Sequence, residues 1–169
     1  VEGLERRELR REAGAGDPAR QAADVALGTC ADPLLHADIL RAQARMASQG
    51  GGAAEEVSSM LRSEAAAVAS LDSTRAAYLL ADAVTAFWPA WDTPSNVELA
   101  RAARELAGDS DDPLFDYVLG FELAREGSVR ESVPLLEAVD RAIANDPARR
   151  ADPRALLVAA DCAWWRSNL

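Results

Sequence analysis

The chain repeats one short motif at a constant interval of forty residues. An aspartate followed by proline or serine opens a helix-like apolar stretch each time, at Asp32-Pro33, Asp72-Ser73, Asp112-Pro113 and Asp152-Pro153. A fixed period in this range is typical of stacked helical repeats, in which each repeat buries its apolar face against its neighbours. The period therefore predicts an all-α fold.

The chemistry of the motif explains its aspartates. An aspartate carboxylate accepts from the free N–H groups of a helix's first turn, and a proline after it has no N–H to leave unsatisfied. We therefore expect helices to begin within about two residues of each motif. This capping role accounts for the aspartates without metal binding or acid catalysis.

Breaks rich in Gly, Pro, Asp, Ser and Asn divide the chain into about nine helical stretches. We expect one domain over 1–169, with repeats starting near 32, 72, 112 and 152 and a partial repeat over 1–31. The predicted architecture is a tetratricopeptide-like right-handed superhelix of antiparallel helix pairs. The chain begins with Val1 rather than Met, and we expect it to be a fragment of a longer protein.

Composition excludes several functions. The net charge is −10, which repels a phosphate backbone, so we expect no direct nucleic-acid contact. The chain has no lysine, which excludes a GxxxxGK[ST] phosphate loop and a lysine nucleophile. No apolar run approaches the ~20 residues of a membrane span, so we expect no membrane contact.

Cys30 and Cys162 lie in different repeats and fit buried thiols, so we expect a cytoplasmic protein.

One repeat resembles the tetratricopeptide pattern of small residues. The pattern is carried by Leu119-Gly120, by Gly127 and by Ser132, with large residues at Phe115, Leu123, Leu136 and Val139. The resemblance implies that Gly120 lies where the two helices of the pair touch, close to Ser132 or Leu136. In the other repeats Leu80 and Ala160 replace this glycine, and the period is longer than usual for the family.

A second resemblance covers roughly 17–166. The phrases AEEVSSMLRSEAAAVASLDSTRAAYLLADAVTAF and ELARAARELA resemble the helical middle region of large bacterial LuxR-type, maltose-regulator-like transcriptional regulators. This resemblance implies a parent with an ATP-binding module before the repeats and a helix-turn-helix after them. Neither module's motif occurs here, so no cofactor or DNA-reading residue is assigned within this segment.

An aromatic cluster is the first candidate for a binding surface. Phe87, Trp88 and Trp91 fall in a long break bracketed by prolines. Tryptophan is enriched at recognition surfaces, which favours a partner-binding role. Alternatively, these rings wedge between adjacent repeats.

Four carboxylates form a second candidate. They lie at neighbouring positions in the first predicted helix of successive repeats, at Asp38, Asp82, Glu122 and Asp161. First helices line the concave face of tetratricopeptide-like stacks, so a negative stripe there would receive a basic peptide or a cationic effector. Alternatively, these side chains only solvate an exposed face.

The last helix supplies a candidate edge for self-association as a homodimer. It carries apolar residues that a following repeat would cover, at Leu156, Leu157, Trp164 and Trp165. An uncovered solenoid edge favours association through its exposed core residues.

These features together predict a non-enzymatic segment. His36 is the only histidine, and no nucleophile–base pair or metal-ligand set accompanies it. We expect an interaction or sensory segment of a LuxR-type regulator, binding a protein, peptide or small effector on its concave face. The alternative is a free-standing scaffold that docks a peptide or a protein.

Overall fold

The computed structural model describes residues 18–49, 54–86 and 93–168. These ranges hold nine α-helices and no strand, which confirms the predicted all-α fold for this part of the chain. The helices are α1 (Pro18–Thr29), α2 (Pro33–Gln49), α3 (Ala54–Val68), α4 (Ser73–Ala86), α5 (Thr93–Ala107), α6 (Pro113–Glu126), α7 (Val129–Asn145), α8 (Pro147–Ala151) and α9 (Pro153–Asn168).

Helices begin directly after all four repeated aspartates, as the capping motif predicts. The carboxylate of Asp112 accepts from the N–H of Leu114 at 2.9 Å. Asp32 makes the equivalent bond at 2.9 Å, and Asp72 accepts from the N–H of Arg75 at 2.8 Å. A further Asp-Pro pair outside the period, Asp146-Pro147, caps the five-residue helix α8 in the same way. The local chemistry of the motif therefore sets the helix starts.

The helices pack in a serial order. Each described helix contacts the next one along the chain. The four helices that follow the aspartate motif also contact one another in succession, α2 with α4, α4 with α6, and α6 with α9. This row is what stacked repeats require, because each repeat buries its apolar face on its neighbour. The right-handed superhelix itself stays a prediction.

The core is continuous along this row and rich in small residues. Fully buried large side chains include Leu61, Leu79, Phe115, Leu123 and Leu136, and many alanines lie between them. Alanine contributes little volume, so alanine-rich helices can approach one another closely.

Gly120 lies in close contact with the second helix of its repeat. Ser132 Oγ donates to the Gly120 carbonyl at 2.8 Å. A Cβ added at Gly120 would lie 2.9 Å from Leu136 Cδ2 and 3.2 Å from Leu135 Cβ. The predicted proximity of Gly120 to Ser132 and Leu136 is confirmed.

Gly127 closes the turn between α6 and α7 with φ at 90°. Its N–H donates to the Ala124 carbonyl at 3.1 Å, and the Ser128 N–H donates to the Leu123 carbonyl at 2.9 Å. This pair of bonds is a Schellman motif, which needs the left-handed conformation that glycine adopts without strain. The glycine spacing read from the sequence therefore has two separate causes, close packing and turn geometry.

Gly120→Leu should lower the free energy of unfolding by about 1–3 kcal/mol, because the new side chain overpacks the contact with Leu136. Urea denaturation measures the loss. Gly28→Ala is the matched control, since a Cβ at Gly28 meets nothing within 4 Å. A Gly120→Leu protein with the unfolding midpoint of the unmodified chain would contradict the close approach.

Candidate functional site

A groove of about 710 Å³ crosses the row of first helices. Its walls come from α2, α4, the segment before α6, and parts of α7, α8 and α9, so each of the four segments that start at the repeated aspartates contributes. The volume lies within the range of small-molecule sites, ~300–1,000 Å³. Its polar lining residues are Arg41, Arg45, Tyr78, Ser110, Asp111, Asp112, Arg149 and Asp152.

Two arginines form the wall on α2, and one buried carboxylate holds both. Arg41 Nε donates to Asp82 Oδ2 at 2.6 Å. Arg45 binds the same carboxylate in a bidentate way, through Nε at 3.1 Å and Nη2 at 3.2 Å. The Asp82 side chain is 11 % exposed, whereas that of Arg45 is 49 % exposed. Asp82 therefore holds the two arginines from the protein interior, and the Arg45 side chain remains accessible from the groove.

Tyr78 stands next to these arginines and links two repeats. The Arg41 guanidinium carbon lies 4.3 Å from the centre of the Tyr78 ring, a cation–π distance. The Tyr78 hydroxyl donates to Asp112 Oδ2 at 2.6 Å. Burial and the hydrogen bond to Asp112 raise the pKa of Tyr78 to about 12, so the ring keeps its proton at neutral pH. This contact fixes the wall on α4 against the start of α6.

The opposite wall carries mixed charge. Arg149 on α8 donates to the Asp111 carbonyl at 3.2 Å and pairs with the carboxylates of Asp111 at 3.6 Å and Asp146 at 3.3 Å. Leu114 and Ile143 supply apolar surface between the walls. The groove thus has a cationic wall, an apolar floor and a wall of mixed charge on which carboxylates outnumber the single arginine.

The predicted acidic stripe includes two residues that are not exposed. Glu122 is 0 % exposed, and Arg125 Nη1 donates to both of its carboxylate oxygens at 3.0 Å. Asp82 is buried against Arg41 and Arg45. A buried, ion-paired carboxylate offers a partner no negative surface. A continuous acidic stripe through these two positions is therefore absent.

The other two predicted carboxylates are exposed but have partners. Asp38 accepts from Arg75 Nε at 2.9 Å. Asp161 accepts from the Tyr117 hydroxyl at 2.9 Å. Burial, with the charge and the hydrogen bond of Asp161, raises the pKa of Tyr117 far above its ordinary value. These contacts tie neighbouring repeats together, and binding of a ligand by Asp38 or Asp161 stays a prediction.

The remaining candidate aromatics lie outside the described residues. Phe87, Trp88 and Trp91 fall between α4 and α5, in a stretch that the described ranges do not include. Their predicted role in partner binding stays a prediction.

The sequence analysis did not single out Arg41, Arg45, Tyr78 or Arg149. The available signal was the period itself. Arg41 and Arg45 lie four residues apart on one helix face, and adding forty to their numbers brackets Asp82. In a stacked repeat, positions one period apart occupy adjacent places, so a carboxylate there predicts an ion pair across the repeat boundary.

Other reactive side chains lie away from the groove. His36 Nδ1 lies 2.9 Å from Glu64 Oε1, between α2 and α3. Cys162 is fully buried, and burial raises the pKa of its thiol to about 12. Within the described residues, no three His, Cys, Asp or Glu side chains cluster in a way that would hold a metal ion. Of the helices in the described ranges, none has the length and apolar character that crossing a bilayer requires.

The last helix divides its apolar residues between two faces. Trp165 packs edge-on against Phe121, with ring centres 5.3 Å apart, and belongs to the partly buried shell of the core. Leu156 is 51 % exposed, Leu157 is 68 % exposed and Trp164 is 58 % exposed. Three of the four predicted edge residues therefore face solvent in this chain, whereas Trp165 belongs to the fold.

Comparison of the chain with models of protein families, with curated proteins and with solved structures gave no match.

The partly buried environment of Tyr78 predicts its alkaline titration. In Tyr117→Phe, Tyr78 is the only tyrosine left, and its ionisation in the folded protein should have a midpoint of about 12 rather than 10.0. Because the unfolded chain loses this proton first, Tyr78 should lower the free energy of unfolding as pH rises from 10.0 to about 12. Tyrosinate absorbance of the folded and urea-unfolded chain measures both midpoints, and equal midpoints would contradict the partly buried hydrogen bond to Asp112.

The exposed face of α9 predicts self-association at high concentration. Burying one such side chain is worth roughly 1.5–3 kcal/mol, so several together favour a dimer. Leu157→Glu and Trp164→Glu should each weaken the dimer in sedimentation equilibrium without changing the thermal midpoint.

Trp165→Glu provides the contrast, because its ring packs against Phe121. That variant should lower the thermal midpoint of the monomer. A chain that stays monomeric at millimolar concentration would reject self-association through this face.

Proposed function

We propose that this chain is a non-enzymatic, ligand-sensing helical-repeat segment, with the groove between α2, α4, α6 and α9 as its binding site. The observation that carries the proposal is the origin of the groove walls, because each of the four segments that start at the repeated aspartates contributes a wall residue. A ligand in this groove contacts several repeats at once.

The serial packing supplies the mechanism. In the described ranges each helix contacts only helices close to it in the row, so small changes at each boundary add up along the chain. A ligand that binds one relative placement of α2, α4 and α9 more tightly than another shifts the population toward that placement. The segment then passes ligand binding on as a change in the curvature of the repeat stack.

A non-enzymatic role agrees with the side chains in the groove. Ser110 is the aliphatic hydroxyl residue among the described lining residues, and its Oγ accepts from the Asp112 N–H at 3.3 Å. No histidine or cysteine is among the described lining residues. A serine without an adjacent base is a weak nucleophile.

We further propose that the parent protein is a LuxR-type transcriptional regulator, in which the segment couples effector binding to the ATP-binding and DNA-binding modules. The support is the sequence resemblance over about 17–166, and the acidic charge of −10 fits a segment that does not itself bind DNA.

A free-standing scaffold is the second candidate. The exposed Leu156, Leu157 and Trp164 on α9 favour it, because clustered apolar side chains on a surface often mark a protein contact. A scaffold would dock its partner through α9, whereas a sensor would use the groove.

The gene that encodes the chain and a promoter reporter test the proposal together. A regulator requires an ATP-binding module before the repeats and a helix-turn-helix after them in the same reading frame. In the intact regulator, Arg45→Gln should reduce the transcriptional response to the natural inducing condition, because Arg45 forms an open part of the groove wall.

Arg101→Gln is the matched control. Arg101 is 51 % exposed and ion-paired with Glu131 on α7, so the change removes the same charge at similar exposure away from the groove. Equal responses from the two variants would reject the groove as the sensory site. A reading frame without both flanking modules would reject the regulator in favour of the scaffold.

A further inference from the structure

The α2 wall of the groove has more positive charge than its ion pairs neutralise. Arg41 and Arg45 share the single carboxylate of Asp82. Two positive charges against one negative charge leave one positive charge at this wall. In a chain whose net charge is −10, a local surplus of this sign beside a cavity is unexpected for a surface that only needs to be solvated.

The same wall also has unused hydrogen-bond donors. Arg41 reaches Asp82 through Nε alone, and among the described residues no acceptor pairs with its terminal nitrogens. Arg45 donates through Nε and Nη2, and its Nη1 likewise has no acceptor among the described residues. Stacking of Arg41 on the Tyr78 ring fixes the plane of its guanidinium. These donors are held in place rather than free to rotate, which lowers the entropy cost of binding an acceptor.

The rest of the groove orients a ligand relative to this wall. Both carboxylate oxygens of Asp112 already accept hydrogen bonds, from Leu114 N–H and from Tyr78. Asp111, Asp112 and Asp152 repel an anion from their side, so an anionic group is driven toward Arg41 and Arg45. Ile143, with Leu114, offers apolar surface between the two walls.

We infer that the groove binds a small anionic molecule, a carboxylate or a phosphate with an apolar body, whose anionic oxygens accept from Arg41 and Arg45. The inference rests on the proposed function and names the ligand class of that site. The acidic residues of the sequence predict a cationic ligand, whereas this groove favours an anionic one. The reason is that the Asp82 carboxylate is already ion-paired with Arg41 and Arg45.

Binding of three related probes to the 169-residue chain tests the inference. Phenylacetate and phenyl phosphate carry the two anionic groups on the same apolar ring, and phenylacetamide is the uncharged match for phenylacetate. Ligand-observed NMR titration should give at least one anion an affinity about tenfold higher than that of the amide, the effect of one charge-assisted hydrogen bond. The preferred anion identifies the group that the wall recognises. Equal affinities for all three probes, or no binding by either anion, would overturn the inference.

Arg45→Gln locates the binding. This change keeps the Arg41–Asp82 contact and should weaken the preferred anion by about tenfold while leaving the amide unchanged. Arg45→Lys keeps the charge and should lose less. Arg101→Gln, which removes an equally exposed charge elsewhere, should bind like the unmodified chain. Circular dichroism checks that each variant is folded, and a folded Arg45→Gln with full anion affinity would place the anion elsewhere.

The two proposals fail in different ways. If the anions do not bind but Arg45→Gln still reduces the transcriptional response, the ligand class is wrong and the sensory groove stands. If the anions bind through Arg45 but Arg45→Gln leaves the transcriptional response of the parent unchanged, the binding site is correct and its proposed regulatory use is wrong.

Discussion

The buried carboxylate of Asp82 is the contact on which the described groove depends. Asp82 lies on α4, and its partners Arg41 and Arg45 lie on α2, so the ion pairs join two successive repeats. Removing one partner of a buried ion pair leaves an uncompensated charge, which is far more costly than loss of an exposed pair. The same contact holds Arg41 against Tyr78, and Tyr78 holds the start of α6 through Asp112. One side chain thus fixes the relative placement of three helices.

The next two repeats have different residues at the position that is equivalent to Asp82. Forty residues after Asp82 lies Glu122, and forty after that lies Cys162, and all three are buried. Glu122 takes its arginine from its own helix, one turn away, at Arg125. Cys162 needs no counter-charge. Of these three positions, Asp82 takes both of its described arginines from the preceding repeat, and those two guanidinium groups form the α2 wall of the groove.

Much of the fold was predictable because its signals are local. Asp112 and its equivalents cap helices through atoms two or three residues away, and Gly127 ends α6 through bonds within five residues. The closeness of Gly120 to Ser132 followed from the tetratricopeptide resemblance.

The site was less predictable because its contacts are distant in sequence. Asp82 and Glu122 read as surface carboxylates, and only packing across a repeat boundary or a helical turn reveals their arginines. Trp164 and Trp165 are adjacent and chemically identical, yet the helical rotation between them puts one on the core and the other in solvent. Sequence pattern identified the helix but not the orientation that separates their roles.

The two thiols of the chain divide it into a reactive and a protected end. Cys30 is partly exposed just after α1, whereas Cys162 is fully buried within α9 and its thiol has a pKa of about 12. The thiolate is the nucleophile that attacks thiol reagents, so the folded chain takes a label at Cys30 and protects Cys162 until α9 separates from the stack. The chain therefore contains its own reporter for opening of the last helix, without any engineered probe.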